Sequence, residues 1–114
     1  MTDEPLEFIE PVELKAKMDG GAPLLVVDAR NPDEFAARHI PGARNVPVAD
    51  MPEALEQIAA AKPDLVVTTC GSSGRGEKAA QVMARSGFTQ VAVLRGGLAA
   101  WRARGFASDG ADPA

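Results

Sequence analysis

Leu65-Val66-Val67-Thr68-Thr69-Cys70-Gly71-Ser72-Ser73-Gly74-Arg75-Gly76 is the stretch that decides the fold. Its first five residues are apolar or β-branched throughout, the strongest strand pattern in the chain. A run of glycine and serine follows, and residues 77–86 then read as a helix closed by Gly87. A strand feeding a helix through a short small-residue loop is the repeating unit of α/β architecture.

Working outward, the same grammar recurs on both sides. Upstream, a brief Phe8-Ile9 strand leads to Pro11, which sits where a helix begins without losing a needed N–H; Leu14 and Met18 lie four apart and Gly20-Gly21 stop the helix. Residues 24–28 form a continuous apolar run ending at Asp28. Asn31-Pro32-Asp33-Glu34 reads as an N-cap, a first-turn proline and two carboxylates facing the helix dipole, and that helix stops before Ile40-Pro41-Gly42. Asn45-Val46-Pro47 reads as a clipped strand. Asp50 is expected to cap a further helix, with Glu53 completing a capping box and Met51, Leu55 and Ile58 on one face, ended by Lys62-Pro63. Downstream, residues 91–94 form a last strand, Gly96-Gly97 turn the chain, and Leu98 and Trp101 anchor a final helix ending near Gly105. Trp101 is read as core. Residues 1–7 are expected to be an N-terminal extension, 8–106 the domain and 107–114 a flexible tail.

With 114 residues, 46% of them hydrophobic and 25% charged, the chain is one globular domain. Apolar runs reach four residues, as in 24–27, far short of the ~20 that cross a bilayer. The acidic start Met1-Thr2-Asp3-Glu4-Pro5 lacks the basic and apolar regions of a secretory signal, so a cytoplasmic location is expected. A net charge of −4 argues against nucleic acid. Residues 1–57 carry 12 acidic and 5 basic side chains, whereas residues 58–114 carry 4 and 7, so the half holding Cys70 is basic. One cysteine and one histidine exclude an internal disulfide and a Cys/His zinc site.

Cys70 is the candidate nucleophile. It stands on a strand-to-helix loop, where ligands gather in open α/β sheets. Gly71, Ser72, Ser73 and Gly74 allow backbone N–H groups to turn inward as an anion cradle, the next helix adds its positive end, and that field favours the reactive thiolate. Arg75, at the helix start, is placed to bind a charged oxygen; a cation there opposes the helix dipole unless an anion offsets it. Asp28 and Arg30, with Glu34 nearby, are read as a structural ion-pair cluster, and His39 as a loop-fixing residue.

Val26-Val27-Asp28-Ala29-Arg30, Glu34-Phe35 and His39-Ile40-Pro41-Gly42-Ala43, taken with the cysteine loop and with Gly87-Phe88, Val91, Leu94, Gly96-Gly97, Trp101 and Gly105, resemble the rhodanese sulfurtransferases over residues 8–106. The resemblance implies a five-stranded, mainly parallel sheet with helices on both faces, in a single-domain form. It implies that Cys70 attacks a sulfane-sulfur donor such as thiosulfate, carries the sulfur as a persulfide within a cradle of Gly71, Ser72, Ser73, Gly74 and Arg75, and passes it to a thiol, cyanide or a sulfur-accepting protein, with no metal or organic cofactor. Gly71 and Gly76 stand where many members carry a basic and a hydroxyl residue. Relatives of this fold that act on phosphorus or arsenic place five residues between cysteine and arginine, against four here, residues 71–74. A non-catalytic binding module of the same fold would have no chemical use for Cys70.

Overall fold

The computed structural model describes residues 6–71 and 74–111. The elements run β1 (Glu7–Ile9), α1 (Pro11–Asp19), β2 (Leu24–Asp28), α2 (Pro32–Ala37), β3 (Arg44–Asn45), a 3-10 turn (Val48–Asp50), α3 (Met51–Ala60), β4 (Leu65–Thr69), α4 (Arg75–Arg85), β5 (Val91–Leu94) and α5 (Gly97–Ala103). The five strands lie in the order β1-β5-β4-β2-β3. Every neighbouring pair is parallel, so the sheet expected to be mainly parallel is wholly so.

The strands' side chains alternate between two cores, as the pleat requires. Val26 and Val67 face a layer with Leu14 of α1 and Leu98 and Trp101 of α5. Val27 and Val66 face the opposite layer, with Met51 and Ile58 of α3 and Ala79 and Met83 of α4. Trp101 is 1% exposed, in keeping with its reading as core, and its Nε1–H donates to the Ala107 carbonyl at 2.8 Å.

Three local expectations change. α3 starts at Met51 behind a 3-10 turn, and Asp50 already has helical dihedrals (φ −94°, ψ −3°), so its side chain makes no cap and no capping box forms with Glu53. α4 begins two residues earlier than the sequence suggested, at Arg75. Residues 107–111, expected within a flexible tail, are hydrogen-bonded to the domain. Asp109 and His39 exchange backbone bonds of 2.8 and 2.9 Å, and the Ala111 N–H reaches the Ala36 carbonyl at 2.8 Å. Gly110 makes this docking possible, because a Cβ there would lie 2.3 Å from the Ala37 carbonyl oxygen.

Candidate active site

β2 and β4 are neighbours whose onward connections leave in opposite directions, to β3 on one side and to β5 on the other. Between two such strands the loops diverge and open a crevice at their carboxyl ends. Cys70 follows β4 directly and is 3% exposed. The strand ends are joined by the Ala29 N–H, which donates to the Thr69 carbonyl at 2.8 Å.

The beginning of the cysteine loop is held from the α5 side. Leu98 N–H donates to the Cys70 carbonyl at 2.8 Å and Ala99 N–H to the Gly71 carbonyl at 3.0 Å, so the first turn of α5 spends its otherwise orphaned donors on the loop. This approach requires Gly97: its φ is +60°, and a Cβ there would stand 2.4 Å from the Cys70 oxygen. In a trans peptide the C=O and the following N–H point opposite ways, so a Cys70 carbonyl aimed at α5 turns the Gly71 N–H away from it. Ser72 and Ser73 lie outside the described residues. At the far end of the loop, Thr68 Oγ1 donates to the Gly76 carbonyl at 2.8 Å and seats the first turn of α4 on β4.

Arg75 faces across the crevice. Its Nη1 and Nη2 donate to Oε1 and Oε2 of Glu34 at 2.8 and 3.1 Å. The anion called for by a cation at a helix start is thus supplied by the chain itself, from the first turn of α2. Glu34 also accepts from the Asn31 N–H at 3.1 Å, forming the reciprocal capping box of α2. The hydrogen bonds from Arg75, followed by that from Asn31, lower the Glu34 carboxyl from 4.5 to about 2, burial opposing the shift. Arg75 is pushed up, chiefly by its hydrogen bonds to Glu34, with the charges of Glu34, Cys70 and Asp28 contributing. Both side chains remain about one-third exposed.

Asp28 and Arg30 do form the expected ion pair, fully buried, with Arg30 Nε and Nη2 donating to the carboxylate at 3.0 and 2.9 Å. Arg30 also donates to the Arg38 carbonyl, while Asn45 Nδ2 donates to the carbonyls of Asp28 and Arg30 at 3.1 and 2.8 Å. Glu34 belongs to Arg75 instead of to this cluster. His39 is loop-fixing: its Nδ1–H donates to the Phe35 carbonyl at 2.7 Å and its ring stacks on Phe35 at 3.8 Å. A cleft of about 350 Å³ at the other end of the sheet, lined by residues such as Ala59, Phe88 and Gln90, offers no titratable group among its described lining. Among the described residues no group of three or more His, Cys, Asp or Glu side chains is placed to hold a metal ion, and no helix is long and apolar enough to cross a membrane.

A doubly wound sheet with a cysteine loop at its switch point matches the rhodanese-like domain family model over residues 10–104. The chain belongs to that family. Thiosulfate sulfurtransferase GlpE of Stutzerimonas stutzeri is 35% identical over 103 residues, covering 90% of this chain and 88% of that protein. The uncharacterised protein YqhL of Bacillus subtilis is 37% identical over 76 residues, covering 67% of this chain; the match spans 59% of that protein's length. The solved structure of a yeast protein tyrosine phosphatase of the rhodanese family is 25% identical with a TM-score of 0.71, covering 90% of this chain and 88% of that one.

Proposed function

We propose that the chain is a sulfurtransferase that moves a sulfane sulfur from thiosulfate or a related donor, through Cys70, to a thiol or cyanide acceptor. The observation that carries this reading is the position of Cys70 at the carboxyl end of β4, with its loop carbonyls fixed by α5. The Cys70 thiolate attacks the outer sulfur of thiosulfate; a new S–S bond forms, the sulfane–sulfite bond breaks, and sulfite leaves with the electron pair. The persulfide terminal sulfur is then taken by the acceptor, and the thiolate is restored. Gly71, Ser72, Ser73 and Gly74 line the loop that would hold the persulfide. With no second cysteine in the chain, the persulfide cannot collapse into an internal disulfide, so the acceptor is external: a small thiol, cyanide or a sulfur-accepting protein. Such chemistry calls on no metal or organic cofactor, and a cytoplasmic setting, with its pool of small thiols, would supply the acceptor.

Incubation with thiosulfate followed by intact-mass measurement tests the reading. One sulfur should be gained and then released by cyanide as thiocyanate, and Cys70→Ser should gain none while keeping its fold. Equal sulfur uptake by Cys70→Ser would remove the thiolate from the mechanism. The yeast phosphatase sharing the fold makes phosphate ester hydrolysis the second reading. Four residues between Cys70 and Arg75, and an Arg75 already engaged by Glu34, weigh against it. Cys70-dependent hydrolysis of an aryl phosphate without sulfur loading would favour it.

A further inference from the structure

Glu34 and Arg75 lie 41 residues apart in sequence, yet they meet face to face because α2 and α4 start from the two strands that flank the crevice. The pair uses both carboxylate oxygens and both terminal guanidinium nitrogens, the most committed geometry available to an arginine. Arg75 also feels the charge of Cys70, which places the pair within electrostatic reach of the nucleophile. An anionic donor arriving at Cys70 therefore meets an arginine whose charge is already balanced, and a carboxylate beside it.

Resting on the sulfurtransferase reading above, we propose that Glu34 is a specificity-determining residue: by occupying Arg75 it withholds that cation from anionic donors and biases loading of Cys70 against donors of high negative charge. Glu34 is anionic throughout the neutral range, because Arg75 and the Asn31 N–H hold its carboxyl near 2. The bias is thus a constant feature of the site. Its size follows from Coulomb's law, in which the repulsion from one carboxylate scales with donor charge. A dianion such as thiosulfate feels twice the effect, on a logarithmic scale, that a monoanion feels.

Glu34→Gln is the informative substitution, because glutamine at this position can still accept the Asn31 N–H and preserve the helix cap, so that charge is removed while the cap remains. The donors are thiosulfate, a dianion, and benzenethiosulfonate, a monoanion that gives up its sulfane sulfur with a sulfinate leaving group. Glu34→Gln should raise kcat/KM for thiosulfate by roughly ten-fold at low salt and for benzenethiosulfonate by roughly three-fold, mainly through KM. The difference should shrink as ionic strength rises and the Debye length falls from ~10 Å at 0.1 M to ~3 Å at 1 M. Glu34→Asp, which retains the charge, should keep the wild-type donor ratio, and Glu34→Ala should behave as Glu34→Gln does.

An unchanged donor ratio in Glu34→Gln and Glu34→Ala, with sulfur still loading on Cys70, overturns the role of Glu34 and leaves the sulfurtransferase reading intact. Equal losses for both donors, or failure of both variants to fold, would make the pair a structural clamp and also overturn it. A wild-type Cys70 that takes sulfur from neither donor overturns both readings.

Discussion

Gly97 shows how much of the site hangs on one missing methyl group. At φ +60°, with the Cys70 and Gly71 oxygens 2.4 and 2.7 Å from where a Cβ would be, alanine must push α5 off the cysteine loop. Gly97→Ala should cost on the order of 1–3 kcal/mol of stability through strained backbone and lost loop bonds, and it should slow sulfur loading of Cys70 in an activity assay at a temperature where the fold is intact. Glu34 yields a different prediction, in pH. Its carboxyl is lowered from 4.5 to about 2, so its contribution is fully present above 4.5 and is lost as pH falls toward 2. A partly exposed pair contributes about 0–1 kcal/mol. The urea midpoints of wild type and Glu34→Gln should therefore differ slightly near neutral pH and converge through that acid window; a gap that widens on acidification would contradict the assignment. The Asp28–Arg30 pair was legible in the sequence because two residues of opposite charge stand two apart, and the same local reading singles out Cys70 and Arg75 as candidates. The partnership of Glu34 with Arg75 was not, since it depends on β2 and β4 being neighbours, and strand order leaves no mark on local sequence.

At the scale of elements, Pro11 and Asn31-Pro32 lie where helices start, and in both helices the third residue, Glu13 or Glu34, closes a capping box. Asp50 makes no cap because it closes a 3-10 turn and already has helical dihedrals when α3 begins, a feature invisible in residue type. The attachment of the C-terminal segment is hidden for a related reason. Ser108, Asp109, Gly110 and Ala111 have the composition of a loose end, yet their docking rests on backbone groups that composition does not report. Gly110 is the position where the docking can be broken. With φ +142° and Cβ space filled by Ala37 and Arg38 backbone, Gly110→Val should release the strap from α2. Faster amide hydrogen exchange at His39, Asp109 and Ala111, with a loss of about 1–3 kcal/mol, is expected; unchanged protection at all three would show that the strap tolerates a side chain there.

For the whole molecule, the two cores on opposite sheet faces make a prediction about how stability and function separate. Ile58 of α3 and Leu98 of α5 are both buried aliphatic residues, and truncating either to alanine should cost about 2–5 kcal/mol through lost burial and a residual cavity. Their functional consequences should differ. Ile58 packs with Val27, Val66 and Met83 on the α3/α4 face and, among the described residues, makes no bond to the cysteine loop. Leu98 packs on the other face with Val67 and Trp101, and its own N–H holds the Cys70 carbonyl at 2.8 Å. The side chain of Leu98 keeps α5 seated, and the seat sets where that N–H points; removing it loosens the support that turns the loop donors. Ile58→Ala should thus unfold at lower denaturant concentration with sulfur loading near the wild-type rate below its transition, whereas Leu98→Ala should lose both. Because both faces share one five-stranded sheet, a single cooperative transition is expected in each variant. If Ile58→Ala slowed loading as much as Leu98→Ala at matched fraction folded, the loop would be governed by the stability of the sheet as a whole, and α5 would have no special hold on Cys70.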